Sequence, residues 1–589
     1  MKSRLTPNSV VALLLFLWWL LNLVMAAGVE LANDEAYYWW WAEGCGLDWG
    51  YYDHPPAVAF LIWLTGWMGG EFGVRLATTV LQPLYLWILW RLWAVHHRGA
   101  SMPQAIMFAA ICFSMPLLQL YGLLSLPDAP LLFAASLFMW FLDRLQRKPS
   151  LLGAVWVGVA TAALGYSKYQ GVILVATGLL LYLFYREPSG HSDGQRRNHS
   201  RCFLAALWLL VAAVLYMPHL LWLYRHDFAT VNYHLLERGS RAYRVSFTVE
   251  YLLNLLLVFN PLLIWFIVKG GLKKTPDNDN RFINLFMLWT LVSYTVFFFL
   301  ASFRGRTQPQ WNLVAVLPSV WFVMQYVDAK FGGSASKTKK PAYPLKVVVC
   351  ISVVVMIGLR IMVLFNPLHL RGELWNNRSG CEAVAAVAAG RPVVVQHNYT
   401  LPCKYIFYTG RQACSIPVYY ERDSQWRYTS ADSSFFDQSV LVVVPDWFSS
   451  DTIVRPGVKP LHYRMVEHYL PLSRVKIRMN DIRCDGDSLF AGLTISNPYP
   501  FPIFATQGNN LRLLVSSMRT GKNEKHCEIP FTDTLPPHSI ANMRCTFHIG
   551  SPASQFVSNP LRFGLKANGL IAARNVETPY LVSSHRSGK

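Results

Sequence analysis

VVALLLFLWWLLNLVMAAGV (residues 10–29), followed by NDEAYYWWWAEGCGLDWGYYDHPP (residues 33–56), decides how this chain is read. The first stretch is apolar over about 20 residues, the length that crosses a bilayer as one helix. The second puts five carboxylates and one histidine among aromatics directly after it. Carboxylates can take a proton from a hydroxyl or hold a cation. Trp and Tyr also gather at membrane interfaces for structural reasons alone, so a solvated interfacial loop is the alternative to a reaction centre.

Working outward, the chain of 589 residues is 53% hydrophobic and only 15% charged, a balance that belongs to membrane proteins. Apolar windows cover residues 9–28, 72–95, 104–122, 126–143, 151–167, 170–185, 203–223, 248–268, 282–301, 309–327 and 345–365, which makes about eleven spans. Residues 55–68 are apolar too, but about 14 residues suit an interfacial or re-entrant helix better than a crossing. Residues 1–27 resemble a signal peptide only superficially. Their long apolar run reads as an uncleaved first span.

The formal net charge of +20 would point to nucleic acid in a soluble protein. Here the cations collect in short loops: Lys2/Arg4, Arg91/Arg98, Arg144/Arg147/Lys148, Arg186/Arg196/Arg197/Arg201, Lys269/Lys273/Lys274/Arg281 and Lys330/Lys337/Lys339/Lys340/Lys346. They fall in or beside every second loop, so the positive-inside rule puts the N-terminus in the cytoplasm and, with an odd number of spans, the C-terminal region outside. The charge therefore reports topology, and no nucleic-acid partner is expected. The expected fold is an α-helical polytopic membrane domain (residues 1–367, with its first loop at 29–71) followed by an extracytoplasmic soluble region.

That region divides in two. Residues 368–470 alternate apolar runs such as VVVQHNY (393–399) and VLVVVPDWF (440–448) with a small-residue helical pattern, as in an α/β unit. Residues 471–589 carry LFAGLTISN (489–497) and LRLLVSS (511–517) between turn residues, as in a β-sandwich-like module. No nucleophile elbow or phosphate loop occurs there, so binding or positioning is its expected role. Of ten cysteines, Cys527 and Cys545 flank what read as adjacent strands and could pair. Asn377 and Asn398 begin N-glycosylation triplets.

With the topology set, the unusual polar residues fall on the outer face. The first loop carries Asp34, Glu35, Asp53 and His54, the second Asp128 in SLPDAP, and the third Lys168 in GYSKYQG. The fourth carries Asp227, His234, Glu237 and Arg238, and the fifth Arg304 and Arg306. Each has a plain structural reading: Asp128 as a favoured acid at a helix start, Lys168 as a snorkelling lysine, the arginines as interface cations. Gathered on one face, acids, a histidine and cations suit transfer from a lipid phosphate, in which the acceptor loses a proton and the leaving phosphate is neutralised. A carboxylate and an imidazole could also share a divalent cation acting as a Lewis acid. A transporter or lipid flippase is the main alternative, but its polar groups should lie at the membrane midplane on internally repeated helices. A scaffold whose spans only anchor an external domain is the other, and it would not require acids in several loops.

These motifs resemble, in order, those of the multispanning glycosyltransferases that use polyprenyl-phosphate sugars, among them protein O-mannosyltransferases and the aminoarabinose transferases of lipid A. DEAYY (34–38) is similar to the family's first-loop acidic motif and YYDHPP (51–56) to its motif before the interfacial helix. EFGVRL (71–76), LPDAPLLF (126–133) and GYSKYQG (165–171) follow, and the likeness covers about the first 330 residues in span order. The resemblance implies a C-type glycosyltransferase fold and an inverting single displacement at the outer face, without a nucleotide cofactor. It implies Asp34 as base or acceptor-orienting carboxylate, supported by Glu35, with Asp128 organising the acceptor or the first loop. Lys168, His54, Arg238 and Tyr37 would contact the donor phosphate, and Asp53 and His234 would hold a divalent metal. Asp53-His54 stands where some relatives carry an acid–lysine pair. The aromatics of the first loop would line a cleft for sugar. The partners implied are a polyprenyl-phosphate sugar, a lipid, glycan or protein acceptor, and the lipids of a bacterial inner membrane.

Overall fold

The structure, a computed structural model, describes residues 5–97, 100–185, 194–232, 243–273, 280–331, 343–455, 459–517, 525–550, 553–557 and 560–576. The chain divides into two compact units, Met1–Val29 with Trp41–His369 and Glu30–Trp40 with Leu370–Lys589.

The first unit is helical. In chain order its helices are α1 (Pro7–Gly28), α3 (Ala57–Gly66), α4 (Gly70–His96), α5 (Met102–Phe113), α6 (Pro116–Tyr121), α7 (Asp128–Arg147), α8 (Leu151–Ser167), α9 (Gly171–Phe184), α10 (Gly194–Arg225) and α11 (Ala229–Asn232). There follow α12 (Val245–Phe259), α13 (Ile264–Gly271), α14 (Arg281–Ala301), α15 (Val316–Phe331) and α16 (Tyr343–Phe365), while α2 (Asn33–Trp40) lies in the second unit. Local chemistry sets the starts. Thr6 caps α1 ahead of Pro7, Ser150 accepts the Gly153 N–H at 3.0 Å, and Ser101 with Gln104 forms a capping box before α5. Large aromatics such as Trp90, Trp93, Trp208 and Trp321 fill the core. Where α13 crosses α15, a Cβ at Gly270 would collide with the Phe322 carbonyl, so only glycine permits that approach.

Helix covers every expected apolar segment, with differences that proline explains. The stretch 104–122 breaks at Ser114–Met115 before Pro116, and 248–268 bends by 82° between α12 and α13 at Asn260, just before Pro261. A proline offers no N–H to the preceding turn. One side chain links the two breaks: Asn260 Nδ2 donates to the Ser114 carbonyl at 2.8 Å and to Ser352 Oγ at 3.0 Å, and Asn260 Oδ1 accepts the Leu262 N–H at 3.1 Å. Residues 309–315 form 3-10 turns ahead of α15. Among the described residues five helices (α1, α4, α10, α14 and α16) are long and apolar enough to cross a bilayer, and the bent α12–α13 pair makes six. α3 is short and apolar all round, and it exposes Phe60, Trp63 and Leu64, with Trp67 exposed just past its end. Deep in the unit, Arg360 of α16 donates to Asn22 of α1 at 2.8 Å and to Gln119 of α6 at 2.6 Å.

The second unit is strand-rich. β1 (Val393–Gln396), β2 (Ala413–Ile416), β3 (Val440–Val444), β4 (Asp451–Ile453) and β5 (Leu461–Val466) form one sheet in the order β2-β1-β3-β5-β4. Its β2-β1-β3 part is parallel and the rest antiparallel. Its helices are α17 (Asn377–Ala388) and α18 (Leu401–Thr409), with β1 to β3 buried on every residue. β6 (Lys476–Asp485), β7 (Ser488–Asn497) and β10 (Ser539–His548) make one antiparallel sheet. β8 (Arg512–Ser517), β9 (Lys525–Pro530) and β11 (Leu561–Lys566) make another. Cys527 on β9 and Cys545 on β10 therefore sit in different sheets and both are free thiols, because β10 pairs with β7 and β9 with β8. The amide of Asn377 donates to the Glu373 carbonyl at 2.8 Å, and Asn398 Oδ1 accepts from Thr400 and Leu401, so both triplet asparagines hold local turns.

α2 is fastened into this unit by its aromatics. Trp40 stacks on Trp426 at 3.5 Å, Tyr37 meets Tyr399 edge-on at 4.8 Å, and Trp39 meets Phe407 edge-on at 4.9 Å. Tyr408 Oη accepts the Leu31 N–H at 2.9 Å. Tyr37, Tyr38 and Trp40 are buried, so these rings serve packing rather than the sugar-lined cleft expected of them.

Candidate active site

In the first unit the site is built from the ends of α7, α8 and α10 and the second half of the first loop. Asp128 opens α7 between Pro127 and Pro130, where an acid meets the positive end of the helix. The preceding turn is pinned by Ser125, whose hydroxyl donates to the Val74 carbonyl at 2.7 Å and lies 2.9 Å from Thr78 Oγ1. Lys168, just past α8, donates from Nζ to both Asp128 oxygens at 2.9 Å. Both side chains are buried, so this is a desolvated pair rather than a snorkelling lysine and a solvated cap.

Next to Lys168, the Tyr169 hydroxyl meets His219 Nε2 of α10 at 3.1 Å, and His219 Nδ1 meets the Trp49 carbonyl at 2.7 Å. A carbonyl can only accept, so Nδ1 carries the proton and Nε2 takes the one from Tyr169. Trp222 Nε1 donates to Asp48 Oδ2 at 2.8 Å one turn further along α10. A Cβ at Gly50 would lie 2.6 Å from Trp222 Cε3 and 3.0 Å from His219 Cε1, so glycine allows the loop to lie this close to α10. Tyr51 stacks on Trp41 at 4.6 Å and its N–H donates to the His54 carbonyl at 3.2 Å, closing the turn that carries Asp53. Asp53 is buried, and its carboxylate acts on Tyr169: burial pushes that phenol up and the nearby negative charge adds to the shift. The loop acid and the Asp128–Lys168 pair thus converge on the Lys168–Tyr169 turn.

In the second unit, Asp34 is exposed in the first turn of α2. Glu35 beside it is fully buried and accepts the Ala32 N–H at 3.0 Å, closing the turn that presents Asp34. Tyr37, expected at the donor phosphate, instead accepts the Gln425 N–H at 2.6 Å and anchors α2. Lys404 donates to the Glu373 carbonyl at 3.0 Å and Asn377 Oδ1 at 2.9 Å; burial pushes its pKa down to about 8 against the pull of Glu373, Glu30 and Glu35. His234, Arg238 and Glu237 lie outside the described residues. Arg306 makes an exposed ion pair with Glu250 at 2.7 Å. Among the described residues no three His, Cys, Asp or Glu side chains gather as a metal cluster. Arg75 of EFGVRL is fully buried and donates to the Val29 and Ala26 carbonyls, satisfying the end of α1.

Residues 53–222, which include Asp53, Asp128, Lys168 and His219, match the profile of the dolichyl-phosphate-mannose-protein mannosyltransferase family. The lipopolysaccharide core galacturonosyltransferase RgtB of Rhizobium johnstonii (strain DSM 114642 / LMG 32736 / 3841) is 27% identical over 227 residues, 36% of this chain. The match spans 42% of the length of that curated relative. Crystal structures of ArnT from Cupriavidus metallidurans, apo and bound to undecaprenyl phosphate, are similar with TM-scores of 0.54 and 0.52 at 14% and 13% identity. Each likeness covers 77% of this chain and 97% of the other. The chain therefore has a helical fold of the C-type glycosyltransferase kind, followed by a strand-rich region, and the resemblance drawn from its ordered motifs stands.

Proposed function

We propose that this protein is a membrane glycosyltransferase that moves a sugar from a polyprenyl-phosphate donor to a hydroxyl of a lipid, glycan or protein, on the extracytoplasmic face of a bacterial inner membrane. The observation that carries the reading is the buried Asp128–Lys168 pair, next in sequence to the Tyr169–His219 contact and inside the segment that matches the mannosyltransferase profile. The likeness to ArnT, of which one structure holds undecaprenyl phosphate, supports a polyprenyl phosphate as the lipid partner.

In this reading Asp34 takes the proton of the acceptor hydroxyl. The oxygen attacks the anomeric carbon, the bond from that carbon to the phosphate oxygen breaks, and polyprenyl phosphate leaves with the electron pair, inverting the centre. Glu35 holds the turn of Asp34, Asp128 fixes the Lys168 ammonium, and Lys168, His54 and Arg238 take the phosphate charge. A divalent cation here would be held by Asp53 and His234 and would supply Lewis-acid neutralisation of the leaving group. All eleven helical segments would cross the membrane, with the basic loops in the cytoplasm.

Proteoliposomes holding the purified protein, supplied with labelled polyprenyl-phosphate sugars and a hydroxyl acceptor, test this. Release of polyprenyl phosphate is expected. Movement of intact donor without bond cleavage would make the protein a flippase. Chelation of divalent ions in the same assay is expected to stop release and added Mg²⁺ or Mn²⁺ to restore it; full turnover with chelator would remove the metal from the account.

A further inference from the structure

A cavity of about 610 Å³ lies in the second unit, lined by the end of β5, the segment 502–509 before β8, and Asn568 after β11. Small-molecule sites fall in this size range and commonly form where substructures meet. Val466, Tyr469 and Leu470 supply buried lining, whereas Phe436 and Phe504 line it at 37% and 42% exposure. Two part-open aromatic rings on one cavity offer faces on which a ring-shaped ligand can lie. Phe436 is also held flat: it stacks on Phe501 at 3.9 Å, and Phe501 stacks on Tyr499 at 4.8 Å. The Tyr499 hydroxyl donates to the buried Asp432 at 2.6 Å, which fixes the far end of the stack.

His468 Nδ1 and Asp437 Oδ1 lie 2.8 Å apart with both side chains solvent-exposed, and Glu467 and Thr506 also line the cavity. Asp437, His468 and Asn568 all hold positive φ, at 60°, 51° and 56°. These residue types tolerate that region better than most, yet it still costs on the order of 1 kcal/mol each. The conformations are locked by Asp437 N–H to the Tyr469 carbonyl at 2.9 Å and Leu470 N–H to Asn568 Oδ1 at 3.1 Å.

We propose that this cavity binds a neutral saccharide, a pyranose unit of the acceptor glycan. An aromatic face matches the C–H side of a pyranose ring, and a carboxylate–imidazole pair donates to and accepts from its hydroxyls. Asp437 and Glu467 would repel phosphorylated or carboxylated sugars. That the saccharide belongs to the acceptor rests on the glycosyltransferase reading above; the binding itself does not. Saturation-transfer NMR on the full-length protein in detergent, with the methyl pyranosides of galactose, mannose and glucose as probes and trialanine as control, tests it without turnover. At least one glycoside is expected to bind, with affinity falling about tenfold in Phe436→Ala and in Phe504→Ala, the size of one aromatic contact. Phe504→Ala, in an exposed segment, keeps the test sound if Phe436→Ala disturbs folding, and melting temperature monitors both. Absence of glycoside binding, binding unchanged in both variants, or preferential binding of trialanine would overturn the proposal. Because glycoside binding is read without turnover, while donor cleavage is read on the unsubstituted protein, failure here and failure of the glycosyltransferase reading are separately visible.

Discussion

Lys168 and Asp128 are each other's buried partner, and removing one strands the other. Lys168→Met is expected to cost about 3–5 kcal/mol, because an unpaired carboxylate remains in a desolvated site, while pairing it with Asp128→Asn should recover most of that loss. Thermal melting of the detergent-solubilised variants checks both, and a single variant as stable as wild type would mean that the pair does not form. Lys404 gives a pH signature in the second unit. Its folded pKa lies near 8 against an ordinary 10.5, so below about pH 8 it is charged in both states and the folded form bears the full cost of burial. Between those values the folded form releases its proton while the unfolded chain keeps it, so stability rises with pH across that window. Relative to Lys404→Met, the wild-type melting temperature should rise from pH 8 to about pH 10; a pH-independent difference would contradict the shift. Asp128 and Lys168 were legible in the sequence because each is a charge at the end of an apolar run. His219 was not, since one histidine within an apolar helix has no spacing partner, and the carbonyl that sets its tautomer comes from 170 residues away.

At the scale of elements, helix breaks carry the information that hydropathy lacks. Apolar windows located the long apolar helices of the first unit, yet a window average cannot see that Pro116 and Pro261 each cost a backbone donor. Asn260 answers both breaks, with φ of 57° and two buried donor bonds. Asn260→Ala is expected to destabilise the protein by about 1–2 kcal/mol, the range for a polar bond lost between membrane helices. Melting of the solubilised variant measures this, and an unchanged midpoint would show that the break is satisfied some other way. The allegiance of α2 was equally hidden. An aromatic-rich stretch after a span reads as an interfacial belt, whereas Trp40 and Tyr37 find their partners in Trp426 and Tyr399, nearly four hundred residues on, where no local pattern points.

At the scale of the whole molecule, the acids read together in the first loop part company. Asp34 belongs to the strand-rich unit and Asp53 to the helical one. The helical unit carries the buried Asp128–Lys168 ion pair and the His219 imidazole oriented by the Trp49 carbonyl, and it holds the residues that match the mannosyltransferase profile. The strand-rich unit carries the exposed acid assigned to the acceptor hydroxyl, and also the cavity assigned to a saccharide. The fold was legible because the motifs fall in span order; sugar and acceptor leave no comparable mark on this chain. Asp34→Asn therefore bears most directly on the account. Mass spectrometry of envelope lipids and glycans should show a species heavier by one sugar in cells making the wild-type protein. That species should fall about a hundredfold or more when Asp34→Asn is made at equal protein level, as for loss of a general base. Identical spectra from the two strains would contradict the assignment.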